Sequence, residues 1–524
     1  MAKLTDMPPE ILNIICSMLL EVDKNVTIEH AFAQGNSWYK SSTDHQIGKF
    51  LTKASGLPDV FNFAHASRRF QSLTSYPWHL RSRILSFHGS DFLPRAIKFL
   101  RSLSSHPNGA QQVQILYLNL EESASSHHSI SPADINFLHE QSGAVVRTSG
   151  ERLRNVALAV LGKLPNLEQL GMTLETSPYQ PLWKDLAADG TWIPFYTDPW
   201  SSQDDESFEL AHLHQNIQYL GLRFNHQWHR PVGPGYFATK RQEVFEILFD
   251  LEVRPTHLYV DDLTTALCGF HRVSGTAGMD MLFKNITHLT IAGASDSQRG
   301  LSLGPVLGRC APLWEFTFIG QSSRLADTDI DLSPFRVYQF LLARHRTSLR
   351  KLCLDFSFYK FNLGGVGTGF LASFTNLHTL WIDTRSIVPN RPDTPSLRAF
   401  DKLPASLRHV CFSLNGKGIG PGLQWLAENR ATRYPKLHVI QFKYPFFGTQ
   451  QPQHPFIGSQ YFDRQYFQYP FSARRFPHAR MILDDHRELG FEDAEVTEVE
   501  NAVLWTPCEG LCREEDGAGQ EEDD

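Results

Sequence analysis

One short pattern returns along most of this 524-residue chain: an apolar residue, two variable ones, an apolar, one variable, an apolar. Copies begin at Val113, Leu167, Ile217, Ile286, Leu313, Leu349, Leu377, Leu407 and Leu437, and a weaker one uses Leu258 and Val260 behind Pro255. An apolar-x-apolar run is the period of a strand, with alternate side chains on one face. Three apolar positions alone would recur by chance in roughly 7% of windows. Two further regularities constrain the chain more. The leading residue is mostly Leu, often preceded by Asn, Ser or Lys, as in Asn166-Leu167, Ser348-Leu349, Asn376-Leu377, Ser406-Leu407 and Lys436-Leu437. From 286 the leading positions are 286, 313, 349, 377, 407 and 437, and earlier copies are more widely spaced. Amphipathic stretches at 151–164, 241–253, 334–346 and 423–434 predict helices between the strands.

This unit resembles the strand segment of a leucine-rich repeat. The resemblance implies an irregular solenoid, with parallel strands inside and helices outside. The Asn usual at the ninth position is matched only by Asn225 and Asn415. A doubly wound sheet would show the same alternation of helix and strand. It would need Gly-rich phosphate loops to be functional, and the sequence has none. Unpaired repeats cannot bury their faces, so the array needs covered ends. A helix over 92–103 and the region after Lys443 are the expected covers.

A separate signal lies at the N-terminus. Thr5 or Asp6 can cap a helix, Pro8 and Pro9 suit its first turn, and Glu10 complements its dipole. Ile11, Ile14, Ile15, Met18 and Leu19 then recur at one-faced helical spacing. Further on, Leu57-Pro58-Asp59-Val60-Phe61 leads to Ser67-Arg68-Arg69-Phe70, then Pro77 and Trp78. In order, these two segments resemble the helices of an F-box, the module that docks a protein on the Skp-type adaptor of a cullin ubiquitin ligase. In the family they join directly; here the polar stretch 21–56 intervenes and reads as a loop insertion. The resemblance implies adaptor contact by Met7, Pro8, Ile11, Ile15, Leu19, Ser67 and Phe70. A short N-terminal F-box before irregular, aromatic-rich repeats is similar to many fungal F-box proteins.

The expected organisation is a helical module at 1–90, a repeat array at 91–443, an aromatic-rich cap at 444–507 and a disordered acidic tail at 508–524. Residues 509–524 carry eight acids and one base, so the tail accounts for the whole formal charge of −7. The remainder is balanced, which points away from nucleic acid. No apolar run is long enough to span a bilayer. Asp6 and Glu10 interrupt what a signal peptide would need, so an intracellular location, cytoplasm or nucleus, is expected. The seven cysteines are odd in number and irregularly spaced, as free thiols in a reducing compartment would be. Cys508 and Cys512 lack two further ligands nearby, so neither a metal nor another cofactor is expected.

Alternation also selects the strand residues that a leucine-rich repeat turns to its concave side. Tyr219, Arg223, Tyr259, Asp355, Trp381 and Asp383 are the candidate contacts to a target protein, since aromatics and Arg carry most interface energy. Asp355 and Asp383 on neighbouring strands could serve as a hydrolase's carboxylate pair. No nucleophile elbow, Walker loop or His-Glu-x-x-His motif accompanies them, and no enzyme is expected. The expected function is a substrate-recognition subunit of a Skp–cullin–F-box ligase. The alternative is a non-catalytic repeat scaffold without ligase association.

Overall fold

A computed structural model describes residues 8–20, 26–28, 31–32, 44–65, 82–87, 92–106, 109–119, 131, 133–134, 136–137, 156–157, 159–176, 216–226, 253–261, 280, 282–295, 303–321, 334–356, 368–383, 386, 400–413, 420–443 and 495–498. The fold is α/β, with every observed strand pairing parallel. Contacts divide the chain into two compact units, Met1–Ala292 and Pro312–Asp524, with short pieces between 293 and 311 shared out between them.

Near its start the first unit has helices α1 (Pro9–Leu20), α2 (Asp44–Ala54) and α3 (Leu57–His65) among the described residues. Strand β1 (Ile84–Phe87) and helix α4 (Phe92–Ser105) follow. Then come β2 (Ile115–Asn119), β3 (Gln169–Thr176), β4 (Tyr219–His226), β5 (His257–Asp261) and β6 (His288–Ser295). Each strand pairs with the next in sequence, through Ile84, Ile115, Gln169, Tyr219, His257 and His288 in one register row. The order never reverses, so this sheet has no topological switch point of the kind that a doubly wound fold uses.

The second unit contains most of α5 (Leu303–Arg309), then β7 (Glu315–Gln321), α6 (Pro334–His345), β8 (Lys351–Asp355) and β9 (Thr379–Asp383). It ends with β10 (His409–Ser413), α7 (Gly420–Arg433), β11 (Val439–Lys443) and β12 (Glu495–Glu498). Its strands also pair in sequence order.

The pattern positions form the core. Leu116, Leu170, Leu220, Leu258 and Leu289 make one fully buried row across the first unit; Phe316, Leu352, Leu380, Val410 and Ile440 make its equivalent in the second. Helices cover this leucine face: Phe99 of α4 packs edge-on to Phe87 of β1, and Phe400 packs on Phe412 of β10. The polar residue before three of the leading Leu positions also has a physical role. The Asn166 side-chain amide donates to the Gln111 carbonyl at 2.6 Å, Asn376 to Thr347 at 2.6 Å, and the Ser406 hydroxyl to Leu377 at 2.8 Å. Each bond satisfies a carbonyl of the preceding repeat that its own turn leaves open. His345 makes a further link. Its Nδ1 accepts the Leu313 N–H at 3.1 Å and its Nε2–H donates to the Leu307 carbonyl at 3.0 Å, which fixes a neutral tautomer in a fully buried site.

Three expectations about organisation change. The described part of 21–56 is not all loop: α2 buries Ile47 and Leu51 and packs on β1 and β2, and Val26, Ile28, Ala31 and Phe32 are also buried. Strand β1 lies inside the stretch assigned to an all-helical module, and β12 inside the stretch assigned to a cap. The aromatic run 444–476 and the acidic tail lie outside the described residues. Gly56 lets α3 follow α2 without a linker. Its φ of 69° suits glycine, and a side chain there would land on the Leu19 carbonyl of α1. Among the described residues, no helix is long and apolar enough to cross a membrane.

Candidate partner-binding surfaces

Helix α1 has two apolar faces rather than one. Leu12, Cys16 and Leu20, spaced by four, are buried, and Cys16 and Leu20 cluster with Val60 of α3. Leu19 and Leu57 pack partly against this cluster. The other face points to solvent: Ile11 is 41% exposed, Ile14 54% and Met18 66%. On α3, Phe61 is 37% exposed. Among the described residues, five large hydrophobic side chains are exposed, and four of them lie on these two packed helices. The fifth, Trp314, is covered on one side by the Arg350 guanidinium, 5.1 Å from its ring. A single exposed apolar residue is ordinary, but Ile11, Ile14 and Met18 line one side of α1 as an exposed apolar stripe.

Of the side chains expected to meet an adaptor, Pro8 and Ile11 are exposed, Ile15 and Leu19 are half-buried, and Met7, Ser67 and Phe70 lie outside the described residues. Ile14, Met18 and Phe61 are also exposed and were not in that set. Ile14 and Met18 were legible as members of the one-faced run Ile11, Ile14, Ile15, Met18 and Leu19; that face is the largely exposed one, and Leu12, Cys16 and Leu20 form the packed one.

The residues expected to meet a target are arranged differently from the expectation. They do stand opposite the leucines, as alternation requires. However, Tyr259, Trp381, Asp355 and Asp383 are buried, and so is Tyr219. Strands β2, β9 and β10 are buried along their whole length, on both faces. The expectation of a solvent-facing concave side therefore fails at these five positions, for the reason that parallel sheets are generally covered twice. The Trp381 indole N–H donates to the Ser413 hydroxyl at 2.9 Å, and the ring sits in register between Cys353 and Cys411, both fully buried. Arg223 is mostly buried and ion-paired to Asp261 of the next strand at 3.4 Å. Asp355 and Asp383 end neighbouring strands, and burial of both removes the access that a hydrolase pair would need.

Part of what covers this second face in the first unit is visible. The Phe32 ring stacks on Tyr259 at 5.1 Å and meets Tyr117 edge-on at 6.1 Å, and Ile28 lies beside it over Gly171 and Gly221. Neighbouring positions carry an imidazole stack: His257 and His288 lie 3.9 Å apart, their Nδ1 atoms 2.9 Å from the hydroxyls of Thr256 and Thr287. Among the described residues, no group of three or more His, Cys, Asp or Glu side chains is placed to hold a metal ion.

Three buried groups have shifted protonation. Burial pushes His409 of β10 down to about 4; the charges of His438 and Lys351 add to this, and a hydrogen bond with Gln441 opposes it. Burial also lowers His345, against its bond to Leu307. Tyr338 of α6 is raised by burial first and then by the charge of Asp383. The two histidines fold neutral. The stability that depends on His409 is complete above its unfolded value of 6.5 and is lost as pH falls towards about 4, because the unfolded chain binds the proton first; His345 acts in the same direction. Urea melts across that window should show a His409→Leu chain losing less stability than the parent, by roughly 2–3 kcal/mol at the acid end.

No protein-family model matches the chain, and no curated protein does.

Proposed function

We propose that this chain is the substrate-recognition subunit of a cullin-type ubiquitin ligase, docking a Skp-type adaptor through α1 and α3. The observation that carries the reading is the exposed apolar stripe of Ile11, Ile14 and Met18 on α1, whose other face is already packed, with Phe61 also exposed on α3. Fully burying an exposed side chain of this size contributes about 1.5–3 kcal/mol; these four are 37–66% exposed, so they offer roughly half of that each towards holding a helical partner. The sequence at these helices resembles the F-box, whose role is that contact. The strands and helices that follow read as an irregular leucine-rich-repeat solenoid that holds a target protein. The chain itself carries no chemistry in this reading. Ubiquitin transfer belongs to a separate enzyme that the cullin scaffold brings near, and the receptor acts by raising effective concentration. Co-purification of the full chain with a Skp-type adaptor tests the proposal, with Ile14→Asp/Met18→Asp as the paired variant. An unmutated chain that fails to bind leaves the alternative, a repeat scaffold without ligase association.

A further inference from the structure

Ile28 and Phe32 are seated in a slot, and the slot has the features of a recognition site. The Ala31 N–H donates to the Thr27 carbonyl at 3.1 Å, one turn of helix, so Ile28 and Phe32 project on the same side. Beneath them, Tyr117, Gly171, Gly221 and Tyr259 follow one another in register on four adjacent strands. The tyrosines form two aromatic walls and the glycines leave a floor of bare backbone. That floor is needed, because a Cβ on Gly221 would come 2.5 Å from Phe32 Cε2, and one on Gly171 would come 2.9 Å from Ile28 Cδ1. Strand-interior glycine is costly and commonly marks a close approach by something else. The Ile28 N–H donates to Gln169 Oε1 at 2.9 Å, a main-chain contact that any peptide with a free N–H could make. Tyr117 is braced by a 2.7 Å bond to the Thr173 hydroxyl, so the wall is set without the occupant.

Resting on the reading that this array recognises a target, we infer that the slot binds a short helical turn of a partner protein carrying an aliphatic and an aromatic side chain four residues apart. Ile28 and Phe32 fill the slot in cis as an internal stand-in. A tethered occupant competes at millimolar effective concentration, so the resting chain admits only a partner that displaces it. The occupant lies between α1 and α2, which joins the slot to the proposed adaptor-docking helices by a short stretch of chain.

The test uses the full chain and a fluorescent peptide of residues 24–35, with anisotropy as readout. The Ile28→Ser/Phe32→Ser chain should bind this peptide at least tenfold more tightly than the unmutated chain. Binding should vanish when the peptide carries the same two serines, and when Gly221→Val is added to fill the slot. Equal affinity of the unmutated and emptied chains, or no binding by an emptied chain that retains its thermal transition, overturns the inference. Loss of that transition in the emptied chain also overturns it, because the segment is then fixed core. The assay contains no adaptor, so failure of adaptor docking and failure of the slot are separately readable.

Discussion

Trp381→Ala is expected to destabilise the second unit by about 4 kcal/mol, the range found when a large buried aromatic is truncated. Trp381 is fully buried, and its neighbours in register, Cys353 and Cys411, are too small to close the space. The substitution also leaves the Ser413 hydroxyl without its indole donor, at about 1 kcal/mol more. Urea unfolding measures it through the midpoint. Stacked repeats interact mainly with their neighbours, so unfolding in steps, with the second unit first, is the expected form. Trp381→Phe keeps most of the volume and should lose roughly half as much. A Trp381→Ala chain of unchanged midpoint would show that the ring is not core, and would restore it as a candidate contact.

Ile14→Asp/Met18→Asp is expected to weaken adaptor binding at least 100-fold, about 2.7 kcal/mol, while leaving the thermal transition in place. Both residues are more than half exposed, so the folded chain accepts a carboxylate there with little change. An apolar interface does not, because each charge would be buried without a partner. Leu12→Asp is the contrasting control. Leu12 lies on the packed face of α1, so that change should unfold the helical module and abolish binding for a different reason. Full adaptor binding by the Ile14/Met18 variant would remove this face from the proposal.

The burial found opposite the leucines bears on how target binding should be sought. Five of the six residues selected by alternation are inside, so alanine scanning at those positions would read out folding rather than recognition. Surface candidates lie instead where the described chain keeps apolar side chains in water, and in the glycine-floored slot once it is emptied. Two successive pattern copies, Leu170-Gly171-Met172 and Leu220-Gly221-Leu222, placed glycine at the same position, and Val26, Ile28, Ala31 and Phe32 stood out as apolar within a polar stretch. Each half of the contact was legible. Their meeting was not, because 141 residues separate Ile28 from Gln169 and no local rule pairs them.

Periodicity determined the strands. All ten copies of the pattern form parallel strands, since an apolar residue at every second position can hide only on one face of an extended chain. Spacing likewise determined α4, α6 and α7 and the first face of α1. Tertiary structure alone decided that the other face of the sheet is covered too, that β1 and β12 extend the run of parallel strands, and that α1 buries the face carrying Leu12, Cys16 and Leu20. The physical reason is the same in each case. Local sequence records which side chains avoid water, whereas the identity of the surface that shelters them depends on contacts between segments far apart in the chain.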